Sequence, residues 1–374
     1  MKILMISGDR NSFLAGSSIQ SRFSDYGKIC KELHIIVFTG RGYNNLTLSG
    51  NVFLYPTNSF SRWLYIIDAV FLAKKIPQLD LVTTQDPFES GLAGWIVSMV
   101  SGAKLHFQIH TDFLSPYFTK GNFLNRIRIV LARFLLPRAD GIRVVSERIK
   151  NSLKTKKYKL KTIPVVLPIF TDAKKIMETI PKFDIHKKYP QFDFIILTVA
   201  RLEKEKDISL SLRLMEKIKN KYPKVGFVVV GGGSEEFNLK LEIKNLKLGN
   251  NVIFEGMQSD VISYYKTADL YLCTSFYEGY GLSLIEAALS KCPILTVSAG
   301  EAEYALKEGI SALICPSRDI ECLFSKFSRI LLNDGVSKNL TANATAEVLK
   351  RLPKDKESYL SEYLKTWEST IFNF

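Results

Sequence analysis

The chain alternates short apolar runs with longer segments in which apolar residues recur every three or four positions. Several of the runs are apolar at almost every position, which is typical of strands that are buried on both faces of a parallel sheet. Such strands, separated by amphipathic helices, predict a parallel sheet that is covered by helices on both sides. The first series of predicted strands is Lys2–Ser7, His34–Thr39, Leu79–Thr84, Lys104–Ile109 and Gly141–Ser146.

A second series of apolar runs follows a polar, proline-containing stretch at 172–193. The predicted fold class is therefore α/β, with two doubly wound, Rossmann-like domains at 1–171 and 194–355, a linker at 172–193 and a final helix at 356–374. The second series of predicted strands is Phe194–Ala200, Val225–Val230, Asn251–Glu255, Leu270–Thr274 and Cys292–Val297.

Candidate chemistry is expected beyond the carboxyl ends of the strands, where doubly wound sheets bind their ligands. In this chain those positions carry glycines, cations, a histidine and a carboxylate. They are Gly16 after the first strand, His110 after Lys104–Ile109, Arg201 and Lys206 after Ala200, Gly231-Gly232-Gly233 after Val230, and Glu278 after Thr274.

The stretch SFYEGYGLSLIEAALSKCP, Ser275 to Pro293, holds two acids on either side of a Gly-Tyr-Gly turn. Gly279 and Gly281 allow the backbone to approach a ligand, and a helix that starts near Leu282 offers unpaired amides to a phosphate group. Carboxylates repel phosphate but accept hydrogen bonds from sugar hydroxyls. The pattern therefore predicts a nucleotide diphosphate sugar site, with one of the two acids on the sugar, the other on the ribose and the amides between them on the diphosphate.

This Glu-x7-Glu stretch resembles that of the retaining glycosyltransferases of family 4, within the glycosyl transferases group 1, which have the GT-B fold. Other landmarks fall in the family's order over essentially the whole chain, more closely in the second half than in the first. They are Val199-Ala200-Arg201-Leu202 with Lys206, Val230-Gly231-Gly232-Gly233, Ala139-Asp140 with Val144-Val145-Ser146, and Ser311-Ala312-Leu313 with Pro316 and Asp319. Ala200 departs from the family pattern, which has glycine there.

The resemblance implies sugar transfer with retention from a nucleotide diphosphate sugar, without a cofactor or a required metal. Family frequency favours a UDP-sugar, and the chain contains no Asp-x-Asp. The implied catalytic residues are His110, Arg201, Lys206 and Glu278, of which Arg201 and Lys206 would neutralise the departing diphosphate. The implied donor-binding residues are Gly16, Gly231, Gly233, Met257, Gly279, Tyr280, Gly281, Leu282 and Glu286.

Each of these residues also has a structural interpretation. Glu286 can be a helix residue that faces solvent. Arg201 and Lys206 lie in a charge-rich loop, and such a loop is usually a solvent-exposed surface. His106 and His110 lie four residues apart and can form a metal pair, but no third ligand accompanies them. The glycines at 231–233 are followed by no Gly-Lys-Ser/Thr, so a P-loop is excluded, and a tight strand–helix turn beside the donor is expected instead.

The composition, 46% hydrophobic and 24% charged, predicts a folded globular protein. The five cysteines form no Cys-x-x-Cys pair, and we expect all of them to be free thiols in a reducing compartment. The first apolar run is too short for a signal peptide, and no window reaches the roughly 18 apolar residues of a membrane span. The expected location is therefore cytoplasmic. The cysteines are Cys30, Cys273, Cys292, Cys315 and Cys322.

The net charge of +14 is confined to the first half, where residues 1–175 hold 25 Lys/Arg against 11 Asp/Glu. Asn122–Arg138 combines apolar residues at helical spacing with four arginines, as an interfacial helix does, and Arg148–Lys161 adds seven cations. A core helix beside a solvated basic loop would have the same composition. Together with the charge asymmetry, the two segments predict peripheral binding to an anionic membrane surface at the inner face of the cell membrane.

The family places the acceptor on the N-terminal domain, so we expect a lipid-linked or membrane-proximal glycan acceptor. The final helix resembles the family segment that crosses back onto the first domain. A catalytically silent homologue that binds nucleotide sugar or glycan as a scaffold is the main alternative. A nucleic-acid partner is not expected, because it would explain the charge but not the Glu-x7-Glu stretch.

Overall fold

The computed structural model describes residues 1–120, 122–156 and 158–372. Lys157, within the predicted basic segment, and the last two residues of the predicted final helix lie outside that description. The chain forms two compact units, one of Met1–Pro168 with Pro353–Phe374 and the other of Ile169–Leu352.

The first unit is built on a sheet in which every neighbouring pair of strands is parallel except one antiparallel pair at an edge. Its strands are β1 Lys2–Ser7, β2 Glu32–Val37, β3 Leu46–Ser49, β4 Val52–Pro56, β5 Leu81–Thr84, β6 Lys104–Ile109, β7 Gly141–Val144 and β8 Val165–Val166. They lie in the order β3-β4-β2-β1-β5-β6-β7-β8, and β3 and β4 form the antiparallel pair.

The helices of this unit begin at the residue types that favour a helix start. Ser17, Asn122 and Ser146 each accept a hydrogen bond from a first-turn amide of the helix that follows. The helices are α1 Ser18–Gly27, α2 Tyr65–Ala73, α3 Glu89–Ser101, α4 Phe123–Leu135 and α5 Glu147–Thr155.

The apolar core beneath α2 and α3 explains why the central strands are apolar throughout. Small residues on the inner faces of both helices pack against side chains from the sheet, so helix and strand backbones can approach closely. The buried residues of this core are Leu4, Ile6, Ile36, Phe38, Ala69, Ala73, Leu79, Val82, Ala93, Val97 and Ala103.

The second unit is built on a parallel sheet with the strand order β11-β10-β9-β12-β13-β14. Its strands are β9 Phe194–Val199, β10 Val225–Val230, β11 Val252–Gly256, β12 Leu270–Cys273, β13 Ile294–Val297 and β14 Leu313–Cys315. Its helices are α6 Ala173–Glu178, α7 Ile185–Lys188, α8 Ile208–Lys221, α9 Glu236–Asn245, α10 Val261–Thr267, α11 Leu282–Leu289, α12 Ile320–Leu331 and α13 Asp334–Leu349.

The predicted fold class, α/β with two doubly wound, Rossmann-like domains, is confirmed. The domain boundaries differ from the predicted ones. Residues 172–193 form α6 and α7 and belong to the second unit rather than to a linker. Ile176 and Ile185 are buried there, and the amides of Lys182 and Ile185 donate to the side chains of Ser263 and Thr267. The structure places the first boundary between Pro168 and Ile169.

The final helix, α14 Lys356–Phe372, belongs to the first unit and packs against β6 and β7. Trp367 is fully buried, and the Tyr363 hydroxyl donates to Oε1 of Gln108 over 2.7 Å. A Cβ atom at Gly141 of β7 would overlap the Thr370 side chain, so glycine there allows close approach of helix and strand.

The expectation of five free thiols is wrong for two of the cysteines. The sulfurs of Cys315 and Cys322 are joined as a disulfide, while Cys30, Cys273 and Cys292 are free. The pair forms because the end of β14 and the first turn of α12 bring the two Cα atoms within 6.1 Å. Among the described residues no helix is both long enough and apolar enough to cross a membrane.

Candidate functional site

The Gly-Tyr-Gly turn connects β12 to α11 at the carboxyl end of the second unit's sheet. Gly281 has a φ of 84° and is the N-cap of α11, a left-handed conformation that glycine adopts without strain. Gly281 has no side chain that could cap the helix, and a helix start with its positive dipole end is suited to an anionic group. Tyr280, within the turn, is buried, and Leu282 begins the helix on its exposed side.

Glu278 is held in place ahead of this turn by two hydrogen bonds. Its Oε1 atom accepts from Lys206 Nζ over 2.6 Å and from Ser275 Oγ over 2.7 Å. Both members of the ion pair are largely buried, so each depends on the other for its charge to be tolerated. The structure therefore brings together a predicted sugar-binding carboxylate and a predicted phosphate-binding cation that lie 72 residues apart in the chain.

Glu286 lies in α11, where its carboxyl accepts a hydrogen bond from the Tyr265 hydroxyl over 3.2 Å. Burial raises the pKa of Glu286 to about 7, and the hydrogen bond from Tyr265 opposes that rise. The carboxyl therefore exchanges its proton near neutral pH. Once ionised it is a strong acceptor for the hydroxyl groups of a ligand.

The glycines after β10 allow the loop that follows this strand to contact the ends of the neighbouring strands β9 and β11. Gly231 has a φ of 137°, and its amide donates to the Gly256 carbonyl over 2.8 Å. A Cβ atom at Gly231 would overlap the Ala200 carbonyl oxygen, and one at Gly233 would overlap that of Leu202. These glycines therefore set the shape of the loop that carries Arg201.

Arg201 and Met257 are exposed beside this glycine loop. The Arg201 guanidinium donates to Glu205 over 3.1 Å within its own loop, an exposed pair that costs little to break. Met257 is close to Gly232, since a Cβ atom built there would lie 3.3 Å from the Met257 Cγ atom. Both side chains can therefore turn toward a ligand without unfolding a packed contact.

His110 and Gly16 belong to the first unit, whereas the other predicted site residues belong to the second. His110 directly follows β6, and burial, with Arg143 and Arg22 nearby, lowers its pKa to about 3. The imidazole is therefore neutral at physiological pH. Gly16 has a φ of 72° just before the N-cap of α1, and its amide donates to Oε1 of Gln20 over 3.1 Å.

Arg318 is a site residue that sequence reasoning missed. Its guanidinium stacks on the Phe276 ring at 3.9 Å, donates to the Thr274 carbonyl over 2.8 Å and contacts Asp207. These contacts tie the start of α8 and the region before α12 to the segment that leads to Glu278. In the sequence Arg318 lies in a polar loop, and only its place just before the helix start at Asp319 distinguishes it.

The segment at 298–304 was missed as well. The Glu301 amide donates to the Tyr280 carbonyl over 2.9 Å, and a Cβ atom at Gly300 would lie 2.8 Å from that of Glu278. This loop therefore packs against the Gly-Tyr-Gly turn and stabilises its conformation. Within the part of the chain that the structure describes, no three His, Cys, Asp or Glu side chains form a group that could hold a metal ion.

Comparison with known protein families shows which family has a matching sequence around these site residues. Residues 181–347, which include the Glu278 turn, Glu286, Arg201 and Lys206, match the family model described as glycosyl transferases group 1. This segment belongs to the glycosyl transferases group 1. The resemblance inferred from the motifs is thereby confirmed at the level of this family.

Two curated glycosyltransferases show how the similarity is distributed. The chain is 29% identical over 239 residues, 61% of its length, to alpha-monoglucosyldiacylglycerol synthase of Streptococcus pneumoniae, and this match spans only 53% of that relative. It is 24% identical over 345 residues to N,N'-diacetylbacillosaminyl-diphospho-undecaprenol alpha-1,3-N-acetylgalactosaminyltransferase of Campylobacter jejuni, covering 88% of both chains.

The fold of the whole chain matches that of a solved structure. HepE of Anabaena, crystallised with UDP and glucose, superposes with a TM-score of 0.77 over 99% of this chain and 100% of that chain. The sequence identity is 19%, so this likeness supports the fold alone. The predicted GT-B fold class is confirmed.

Proposed function

We propose that this glycosyltransferase moves a hexose-type sugar from a UDP-sugar to a lipid-linked or membrane-proximal glycan acceptor, with retention and without a required metal. Its role would be in cell-surface polysaccharide synthesis. The observation that carries the proposal is the turn in which Glu278, fixed by Lys206 and Ser275, precedes the glycine N-cap of α11 and the half-buried Glu286.

Charge placement supports donor binding at this turn. The amides at the start of α11 can receive the diphosphate, while Lys206 and Arg201 can neutralise the charge that develops as the diphosphate leaves. Glu278 would accept hydrogen bonds from the transferred sugar, and the ionised Glu286 would accept them from the ribose. Cations in these positions can replace a divalent metal as the electrostatic partner of the leaving group.

The relatives' names support the donor and the stereochemistry. HepE was crystallised with UDP and glucose, and both curated relatives are named for products with an alpha linkage. UDP-hexoses such as UDP-glucose carry an alpha bond, so an alpha product from such a donor means retention. The same two names include a diacylglycerol and an undecaprenyl diphosphate, which supports a lipid-linked acceptor here.

The exposed side of α4 supports a membrane-proximal acceptor. Phe123, Ile127, Val130 and Phe134 recur at helical spacing and all are exposed, whereas Ala132 and Leu135 are buried. Arg126 and Arg133 lie on the same helix, which has no acidic residue. An apolar stripe with flanking arginines is the pattern of a helix that lies in a membrane interface.

A catalytically silent homologue that binds nucleotide sugar as a scaffold is the second candidate. Ala200 favours it, because the family pattern that the loop resembles has glycine at this position. The Ala200 amide donates to the Val230 carbonyl over 3.0 Å in an ordinary β9–β10 contact, so alanine fits the backbone here. The two candidates therefore differ in turnover rather than in donor binding.

Calorimetric titration with UDP, GDP and ADP in EDTA tests the donor site. We expect UDP to bind without metal, and Glu286→Ala to weaken binding about tenfold through the loss of one or two hydrogen bonds. Glu216→Ala, which removes an exposed glutamate from α8 of the same unit, is the matched control. If none of the three nucleotides binds, the donor site is vestigial and the proposal fails.

A transfer assay separates the enzyme from the scaffold. UDP-glucose and a short diphosphate-linked glycan should give a product with a new alpha-glycosidic bond. The NMR signal of the anomeric proton assigns this configuration. UDP binding without any turnover over a panel of donors and acceptors would favour the silent homologue. A beta product would contradict retention.

A further inference from the structure

The segment that leads into α2 carries a second outward apolar stripe, which the sequence patterns did not reveal. Trp63 is 73% exposed and Phe71 is 60% exposed, and Phe60, Leu64 and Ile67 are exposed as well. Their spacing places them along one side of the segment, while Ala69 and Ala73 on the other side are buried in the core. The stripe is therefore not needed to hold α2 on the sheet.

Cations surround this stripe at close range. The guanidinium carbon of Arg41 lies 5.1 Å from the Phe60 ring centre, and that of Arg62 lies 5.0 Å from the Trp63 ring centre. Lys74 Nζ lies 5.4 Å from the Phe71 ring centre. Each large ring thus has a positive group beside it, as expected where apolar rings and an anionic phase must be contacted together.

The stripe on α2 lies in the same helical layer as the stripe on α4. Helix α3 contacts both α2 and α4, and its own exposed end carries Met99 and Val100. Segments 60–75 and 122–138 together hold seven Lys or Arg residues and one acid, Asp68. The outer face of this layer is therefore apolar along its helices and positive around them.

An anionic bilayer matches this combination better than other occupants do. Nucleic acid would be attracted by the cations but gains nothing from exposed Ile67 and Phe71. A second copy of the chain would present the same positive charge and be repelled. A lipid surface accepts large apolar side chains in its interface and attracts Lys and Arg by about 1 kcal/mol each.

We propose that Phe60–Lys75 is a membrane-binding element that lies along an anionic bilayer, with its apolar stripe in one leaflet and Trp63 at the level of the headgroups. α4 makes the second contact with the same surface. The inference extends the membrane-proximal acceptor of the proposed function, but lipid binding can be measured without donor or acceptor.

Trp63 fluorescence tests the proposal directly on the full-length Trp95→Phe variant, in which Trp63 is the one exposed tryptophan of the described chain and Trp367 is buried. Vesicles of phosphatidylcholine with phosphatidylglycerol should shift the emission to the blue, and brominated acyl chains should quench it. Vesicles of phosphatidylcholine alone should do neither. Unchanged emission with the anionic vesicles would overturn the proposal.

Cosedimentation with the same vesicles measures the contribution of the stripe. Ile67→Ser with Phe71→Ser should weaken binding about tenfold or more, because two apolar side chains that the bilayer would bury are lost. Phe237→Ser is the matched control, since Phe237 is 79% exposed but lies on α9 of the second unit. Equal losses in both variants, or self-association of the wild type without lipid through this stripe, would contradict the proposal.

UDP titration distinguishes this inference from the proposed function. The Ile67→Ser/Phe71→Ser variant should bind UDP as the wild type does, and urea denaturation should show that its first unit is still folded. If it binds UDP and retains its affinity for vesicles, the inference fails while the donor site stands. If the wild type binds vesicles but no nucleotide, the donor proposal fails while the membrane element stands.

Discussion

At the scale of single residues, Glu286, the proposed acceptor for the ribose, is placed at a cost to the stability of the folded state. Its carboxyl is largely buried and accepts a hydrogen bond from the Tyr265 hydroxyl, and burial raises its pKa to about 7 from the usual 4.5. A folded-state pKa above the unfolded value means that the folded protein binds the proton more tightly. The free energy of unfolding is therefore expected to fall as the pH rises from about 4.5 through 7.

Glu286→Gln should separate this stability cost from function. Since the neutral amide carries no charge to desolvate, we expect the free energy of unfolding to increase by about 1–3 kcal/mol at pH 8 and to be unchanged at pH 4.5. UDP affinity should fall at pH 8, because an ionised acceptor is lost. Urea denaturation and calorimetry at both pH values are the measurements, and equal stability of the two proteins at pH 8 would contradict the burial argument.

Single residues also show what the sequence could predict about the site. The spacing of Glu278 and Glu286 around a glycine turn is local, so their roles could be proposed from the sequence alone. Tyr265 and Arg318 act through contacts that form only when distant segments fold together, and no local pattern indicates them. The Cys315–Cys322 disulfide was missed for the same reason, because seven residues of separation become close only through the strand-to-helix turn.

At the scale of elements, the longer buried strands were predicted from the sequence, and the shortest strands at the sheet edges were not. β1, β6 and β10 have the predicted bounds, because each is almost entirely buried within a parallel sheet. β3 and the two-residue β8 lie at the sheet edges with partly exposed positions, so their alternation is too short to recognise. β14, with three residues, gives no periodic signal at all.

Helix α14 is expected to be required for the stability of the first unit. Trp367→Ala should lower the free energy of unfolding by about 3–5 kcal/mol, because it leaves a cavity where the fully buried ring packs near Tyr26 and Tyr363. Trp367→Phe should cost less, since the indole Nε1 atom has no hydrogen-bond partner among the described residues. Lys365→Ala, on the exposed side of α14, is the control in urea denaturation.

Deletion from Tyr359 onward is a stronger form of the same test. It removes the Tyr359 and Tyr363 hydroxyls from the buried Arg143 and Gln108 network, which leaves polar groups of β6 and β7 without these partners. The shortened chain should therefore fold poorly. A shortened chain with the melting temperature and UDP affinity of the full-length protein would show that α14 is dispensable.

At the scale of the whole molecule, the excess positive charge lies in the first half of the chain, and the family match lies in the second. Binding to an anionic bilayer and binding of a nucleotide should therefore respond differently to salt. The screening length falls from about 10 Å at 0.1 M salt to about 3 Å at 1 M, so attraction between exposed cations and a lipid surface weakens steeply. In the proposed donor site, a diphosphate bound by the amides of a helix start and by the largely buried Lys206 would be screened much less.

Charge reversal makes this prediction specific to one surface. Lys74→Glu with Lys75→Glu should reduce affinity for anionic vesicles about tenfold or more and flatten its salt dependence, because each reversal replaces attraction by repulsion. Lys244→Glu with Lys338→Glu makes the same charge change on the second unit and should leave vesicle affinity nearly unchanged. Cosedimentation over a salt series, with UDP titration of each variant, measures both affinities. Equal losses in the two double variants would mean that net charge alone attracts the protein to lipid, and the surface of α2 would then have no special part in it.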